Sequence, residues 1–309
     1  MRAVICTRYG PPEVLQLADV QRPTPRRNQV CIRIVATAVS VSDCVIRALK
    51  GPLRYQIPLR LLVGWKAPRR PILGIVLAGD IESVGRNVRS FKEGDQVFGM
   101  NRWAGGAYAE AVCWSANTLL ARRPKNLSYE EAAALPYGGL LAMHCLRKAK
   151  IQPGQHVLVY GASGAIGTAA VQLAKHFGAR VTGVCSTANR QLIESLGAES
   201  VLDYTREDFV SRSERYDLIL DAVGKRKSAA AMQNAGSALA PGGRCISIDD
   251  DFPMPKQDDL DLLQRLAASG ALKPVIDRCY PLGEIIEAHR YVELGHKKGN
   301  VIVSLAPRS

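Results

Sequence analysis

Residues 157–167 read Val157-Leu158-Val159-Tyr160-Gly161-Ala162-Ser163-Gly164-Ala165-Ile166-Gly167: an apolar strand, three glycines at three-residue spacing, then the opening of a helix. A Gly-x-x-Gly-x-x-Gly run means little alone. Between a strand and a helix it marks the junction where a parallel sheet offers a helix N-terminus to phosphate. Gly161 permits the tight turn, Gly164 lets backbone approach a pyrophosphate, and Gly167 lets helix and strand pack closely. Ile166, Ala170, Leu173 and Phe177 share one helix face, and Gly178 ends it. The turn is expected to bind a dinucleotide.

The next strand tells which one. Chains that take NAD usually end that strand on an acid that holds the ribose 2′-hydroxyl. Here it ends Val184-Cys185-Ser186-Thr187-Ala188-Asn189-Arg190, with no carboxylate. Two hydroxyls and Arg190 suit a 2′-phosphate, which the guanidinium would hold by charge-assisted bonds. NADPH is therefore the expected cofactor. Ser186 could also serve as the N-cap of the following helix, and capping would not exclude phosphate contact.

Two grammars divide the chain. Up to about residue 125 it reads as short strands with Gly and Pro at the corners: Met1–Thr7, Gln29–Ala36, Pro71–Val84 broken at Gly74 and Gly79, Gln96–Gly99 and Ala107–Val112. Such a pattern suggests a partly open barrel. Ser128-Tyr129-Glu130-Glu131 is a capping box opening an Ala-rich helix, which breaks at Pro136 and resumes to about Lys150. Strands then alternate with helices. The strands are His156–Tyr160, Arg180–Cys185, Ser200–Asp203, Tyr216–Asp221 and Arg244–Ile248; the helices are Ala165–Phe177, Asn189–Leu196, Arg206–Ser211 and one near Ala229–Leu239. Alternation of this kind predicts a parallel sheet covered on both faces. Helix Leu282–Leu294 and strand Asn300–Leu305 could return to the first domain. The expected division is residues 1–125 plus 271–309, and 126–270.

Composition narrows the function. Hydrophobic residues make up 47% of the 309 and charged residues 22%, which excludes a disordered or collagen-like chain. No apolar run approaches the roughly 20 residues that span a bilayer, and no secretory signal opens the chain, so a cytoplasmic location is expected. The eight cysteines contain no C-x-x-C pair and read as reduced, half-buried small hydrophobes. A formal charge of +13 raises nucleic acid as a partner. The basic residues are dispersed, however, and no nucleic-acid motif accompanies them, so a basic surface that attracts polyanions such as NADPH is the simpler reading.

Six segments carry a family resemblance: Tyr9-Gly10-Pro11-Pro12-Glu13-Val14-Leu15, Gly94-Asp95-Gln96-Val97-Phe98-Gly99, the Gly161–Gly167 turn, Leu196-Gly197-Ala198 before Asp203-Tyr204, Asp221-Ala222-Val223-Gly224, and Gly295-His296-Lys297-Lys298-Gly299-Asn300. Over nearly its whole length the chain resembles the zinc-independent, quinone oxidoreductase-like branch of the medium-chain dehydrogenase/reductases. The resemblance implies a GroES-like domain beside a Rossmann doubly wound sheet. It implies NADPH-dependent hydride transfer to a quinone or α,β-unsaturated carbonyl, with cofactor contacts from Ser163, Ala165, Ile166, Ser186, Arg190, Tyr204, Val223, His296 and Lys298. Read as residues alone, Tyr204 could be a buried strand-end aromatic, and His296 with its lysines could simply follow a helix that Gly295 closes.

No metal is expected. Alcohol dehydrogenases of this superfamily carry Gly-His-Glu and a cysteine three residues before an aspartate. The matching positions here are Gly74-Ile75-Val76 and Ser40 before Asp43, and none of Ser40, Ile75 and Val76 is a good zinc ligand. Tyr55 lies where relatives have an active-site tyrosine and could donate a proton, or it is a loop aromatic. His144 and Cys145 read as core helix residues. Two departures weaken the enzymatic reading: Leu141 replaces a common threonine and Val76 a common acid. An alternative is an NADPH-binding protein with little turnover that regulates a partner, RNA among the candidates. After Arg244–Ile248 the chain runs through Asp249-Asp250-Asp251 and two prolines into helix Asp258–Ser269, so a five-stranded sheet is expected. Without a sixth strand the protein should be a monomer, or a dimer not formed through that edge.

Overall fold

The computed structural model describes residues 1–49, 57 and 60–305. The chain divides into two compact units, Met1–Pro136 with Ile276–Ser309, and Tyr137–Val275.

The first unit is built on β1 (Arg2–Cys6), β2 (Leu15–Asp19), β3 (Gln29–Val39), α1 (Val41–Ala48), β4 (Val76–Val84), β5 (Gln96–Met100), β6 (Ala111–Ser115), β7 (Leu119–Arg122) and α2 (Tyr129–Ala134). The second contains α3 (Pro136–Ala149, its first residue at the boundary), β8 (His156–Tyr160), α4 (Ala165–His176), β9 (Arg180–Cys185), α5 (Arg190–Ser195) and β10 (Ser200–Asp203). It continues through β11 (Tyr216–Asp221), α6 (Lys225–Met232), β12 (Leu239–Ser247) and α7 (Gln257–Ala268). The chain then rejoins the first unit as β13 (Ile276–Pro281), α8 (Ile285–Leu294) and β14 (Asn300–Ser304).

In the first unit β1 and β2 form a hairpin, and seven further strands make one sheet centred on β3. That strand is 11 residues long and carries β4 along one side. Its other side pairs with β6 over Gln29–Arg33 and with β14 over Ala36–Val39, both antiparallel. The C-terminal strand thus does return to the first unit. Val30, Ile32, Leu77, Ile81, Val97 and Trp114 fill one core of this sheet. The Trp114 indole N–H, buried among them, donates to the Gly105 carbonyl at 2.8 Å, which satisfies the only polar atom of the side chain. Helix α2 starts as expected: Ser128 Oγ accepts from Glu131 N at 3.1 Å and Glu131 Oε2 accepts from Ser128 N at 2.8 Å.

In the second unit all pairings are parallel and the order is β10-β9-β8-β11-β12. This is the 3-2-1-4-5 order of a doubly wound sheet, with its reversal between β8 and β11. Among the described residues no sixth strand extends it, as expected. Edge strand β12 leads into Asp249–Asp251, whose charges are met by Lys225 on Asp250 at 2.8 Å and Lys148 on Asp251 at 2.9 Å.

In the first unit the strand expected over Ala107–Val112 runs Ala111–Ser115, and three elements of the second unit differ from expectation. Residues 206–211 form only a single 3-10 turn, Phe209–Ser211, in place of a helix. Asp203 bonds Thr205 N and Oγ, and the Arg206 and Glu207 N–H groups fold back on the Asp203 carbonyl. That turn consumes the residues a helix nucleus would need. The helix expected near Ala229 begins at Lys225, ends at Met232, and is followed by a short turn at Ala235–Ala238. Strand β12 starts at Leu239, earlier than Arg244, because a bulge absorbs Pro241 and Gly242.

The early start of α6 follows from Asp221. Its buried carboxylate accepts from Val223 N (3.0 Å), Gly224 N (3.1 Å), Ser228 Oγ (2.6 Å) and Ser247 Oγ (2.8 Å), tying the ends of β11 and β12 to the first turn of the helix. Asp221→Ala orphans these donors and should cost about 3 kcal/mol or more in a urea unfolding experiment, with Asp221→Asn intermediate. Equal stability of the alanine variant would contradict this role.

Candidate functional site

The reversal between β8 and β11 places two chain turns side by side, and the Gly161 turn occupies that point. Gly161 has φ +77, and a Cβ built on it would lie 2.3 Å from Val223 Cγ2. The Gly161 and Ala162 N–H groups both donate to the Val184 carbonyl, at 3.1 and 2.9 Å, which pins the turn to β9. A Cβ on Gly167 would lie 2.2 Å from the Gly161 carbonyl oxygen, so α4 comes as close to the turn as backbone allows. Gly164 differs: a Cβ there would meet only the Gly161 carbonyl, at 3.6 Å. It is the N-cap of α4 and makes no side-chain cap. The first-turn N–H groups of Ala165, Ile166 and Gly167 therefore end in an uncapped helix N-terminus, beside a partly exposed Ser163. An N-terminus of this kind carries partial positive charge and fits a pyrophosphate.

Past β9, Ser186 stands at the N-cap of a short turn, yet its hydroxyl makes no cap bond; it accepts from Asn189 Nδ2 at 3.3 Å. Arg190 opens α5, is about half exposed, and lies 3.6 Å from Glu194. Thr187, the second hydroxyl of this strand end, hydrogen-bonds the Asp203 carboxylate. With Thr205 bonding the same group, the Asp203 carboxyl is held down to about 2, Thr187 being the larger cause. An acid does stand near the end of β9, then, but on the neighbouring strand and engaged by two threonines.

Tyr204 is 53% exposed, so its ring is not a core aromatic. It walls a cleft of about 370 Å³ with Tyr160, Val184, Arg206 and Phe209. Arg206 was missed in the sequence because a helix was expected there; its guanidinium lies 3.8 Å from Asp203. The structure thus gathers Gly161, Ser163, Gly164, Ala165, Ile166, Gly167 and Val223 around one turn, with Ser186, Arg190 and Tyr204 at the ends of the next two strands.

His296 and Lys298 belong to the other unit. Gly295 takes the left-handed conformation that closes α8, His296 is exposed, and Lys298 N donates to Asp277 Oδ2 at 2.9 Å. Tyr55 lies outside the described residues. Cys145 is buried, as expected of a core helix residue, whereas His144 turns outward and pairs with Asp251 at 2.9 Å. Leu141 is buried in α3.

The residues expected at the zinc positions of alcohol dehydrogenases are Ser40, Ile75 and Val76. Ser40 caps α1: its N–H and hydroxyl donate to Asp43 Oδ2 at 2.9 and 2.5 Å, and Asp43 N returns a bond. Ile75 and Val76 are buried. Among the described residues no group of three or more His, Cys, Asp and Glu side chains is placed to hold a metal. One turn further along α1, the fully buried Arg47 reaches the Gly10 carbonyl (2.5 Å), Glu293 (2.6 Å) and His289 Nδ1 (3.3 Å). Burial, helped by the Arg47 charge, pushes His289 down to about 3, while burial pushes Asp43 up to about 6.

A doubly wound sheet with a glycine turn at its reversal, in a chain whose other unit is a GroES-like β structure, defines a dinucleotide-dependent dehydrogenase or reductase. Comparison with known proteins agrees. The family described as "Alcohol dehydrogenase GroES-like domain" matches residues 26–125, and two described as "Zinc-binding dehydrogenase" match residues 165–265 and 252–303. The chain is 33% identical to a 2-methylene-furan-3-one reductase of Solanum lycopersicum, over 99% of this chain and 80% of that protein. It is 30% identical, with the same coverage, to an NADPH-dependent alkenal/one oxidoreductase, chloroplastic, of Arabidopsis thaliana. The structure of the quinone oxidoreductase from Coxiella burnetii superposes with a TM-score of 0.83 at 27% identity, covering 99% of both chains. The chain belongs to the medium-chain dehydrogenase/reductase superfamily, in its quinone oxidoreductase-like branch.

Two outcomes are expected. Gly167→Ala forces backbone apart and should cost about 2–3 kcal/mol of stability by denaturant titration. His289 is held below its unfolded value near 6.5, so its contribution is complete above that pH and is lost as pH falls toward 3. Asp43 is held above its unfolded value near 3.9, so its contribution is complete below that and is lost as pH rises through 6. Between pH 6.5 and 4 the His289 contribution falls while the Asp43 contribution grows. His289→Gln should remove that fall from the dependence of Tm on pH; parallel curves would refute the assignment.

Proposed function

We propose that the chain is an NADPH-dependent oxidoreductase that reduces a quinone or an α,β-unsaturated carbonyl without bound zinc. The observation that carries this reading is the open, uncapped helix N-terminus at Gly164, set at the sheet reversal. When bound, NADPH supplies the hydride. The N–H groups of Ala165, Ile166 and Gly167 would bind its pyrophosphate, with Gly164 leaving room for it, Ser163 at the rim and Gly161 and Val223 shaping the turn. Ser186 and Arg190 would take the 2′-phosphate and Tyr204 would line the adenosine side. His296 and Lys298 would also contact the cofactor, and Tyr55 would donate the proton that completes reduction.

Ser40, Ile75 and Val76 support the zinc-free part of the reading: two are aliphatic and the third is committed to a helix cap. No described helix is long and apolar enough to cross a membrane, and the reading includes a cytoplasmic enzyme. It also includes a monomer, or a dimer not built on a continuous sheet, because Asp249–Asp251 with Lys148 and Lys225 follow the edge strand where a sixth strand would begin.

The test is steady-state NADPH oxidation with a panel of enones and quinones, with and without EDTA, beside metal analysis. Turnover that survives EDTA in protein lacking stoichiometric zinc is expected. Loss with the chelator would overturn the zinc-free reading, and binding without turnover on any acceptor would favour a cofactor-dependent regulator. Gly164→Ala should leave the unfolding midpoint unchanged while weakening NADPH binding about tenfold or more, since only the ligand needs that space.

A further inference from the structure

Cys31 and Cys113 face each other across the β3–β6 ladder. In this ladder Ile34 N donates to the Glu110 carbonyl at 2.9 Å and Ala116 N to the Asn28 carbonyl at 3.0 Å. Bonded and non-bonded pairs alternate along an antiparallel ladder. Cys31 and Cys113 stand three positions from each of these bonded pairs, so they form a non-bonded pair. That class brings opposed Cα atoms to about 4.5 Å, inside the range a disulfide spans. The side chains of Val30, Ile32 and Trp114 point to the core of the sheet. The cysteines between them point to the other face, where Cys31 Sγ lies 3.7 Å from the Pro23 carbonyl and 4.0 Å from Glu82.

We infer that Cys31 and Cys113 are a redox-active dithiol, which a peroxide converts to a cross-strand disulfide and a small thiol restores. The chemistry of the pair agrees. The Cys113 thiol donates to Cys31, which lowers Cys31 against burial and the nearby Glu82 carboxylate and raises Cys113. Cys31 is thus the more readily ionised of the two and the one to attack first. Cys31 is only 3% exposed, but Cys113 is partly open and lies on β6, which pairs with β3 alone among the described strands. A molecule as small as hydrogen peroxide has an entry there. The Cys31 thiolate attacks one peroxide oxygen, the O–O bond breaks, and hydroxide leaves, giving a sulfenic acid. Cys113 then attacks that sulfur, the S–O bond breaks, and the displaced hydroxide takes the remaining proton. In sum, two thiols and one hydrogen peroxide give one disulfide and two waters. Of the other six, Cys6, Cys44, Cys145 and Cys185 are buried, and Cys245 and Cys279 are exposed without a cysteine opposite in register.

The test treats the full chain with one equivalent of hydrogen peroxide, alkylates the remaining thiols and maps the peptides. A Cys31–Cys113 cross-link, loss of two of the eight thiols and recovery with dithiothreitol are expected. The staple closes a long loop, so Tm should rise by on the order of 5 °C. Cys113→Ser should abolish the cross-link and the Tm rise, and leave Cys31 trappable by dimedone. Thiol loss confined to Cys245 and Cys279, or unchanged in Cys113→Ser, would overturn the inference. The result does not depend on the cofactor reading.

Discussion

The approach of α4 to the Gly161 carbonyl is the contact on which the second unit turns. With a hypothetical Gly167 Cβ only 2.2 Å from that oxygen, no side chain fits between helix and turn. The helix axis is thereby aimed at the space above Gly164, and its free N–H groups arrive there with their dipoles aligned. Val184, receiving two bonds from the turn, keeps it against β9, and Asp221 holds the neighbouring β11 turn in register with it. Backbone closeness, rather than any single side chain, makes the cradle proposed for phosphate.

That arrangement was legible in the sequence because its causes are local. Strands β8, β9, β10 and β11 begin and end on the expected residues, since each is an apolar run bounded by Gly, Asp or a polar turn. The Ser128 cap and the missing sixth strand were equally readable. Elements set by distant partners were not. The 206–211 segment reads as a helix until Asp203 gathers its backbone into a turn, and that engagement of Asp203 with Thr187 spans 16 residues. The start of α6 depends on Ser247, 26 residues from Asp221. Arg47 and His289 meet across 242 positions, and no spacing rule reaches that far. The Cys31–Cys113 pair emerges only once strand register is known.

In the first unit Ser40 caps α1, while Ile75 and Val76 fill the core. A buried cation, Arg47, sits one helical turn beyond and binds a carbonyl, a carboxylate and an imidazole. A buried guanidinium with three partners is costly to disturb, so this region acts as a fixed scaffold.

The central claim is that the Gly161 turn and the Ser186–Arg190 strand end together select a 2′-phosphorylated dinucleotide. Its most direct test is a fluorescence titration of the purified chain with NADPH and with NADH, repeated on Arg190→Ala. NADPH should bind at least tenfold tighter than NADH, with most of that preference lost in the variant and NADH binding unchanged. Equal affinity for the two cofactors, or a preference that survives removal of Arg190 and Ser186, would contradict that claim.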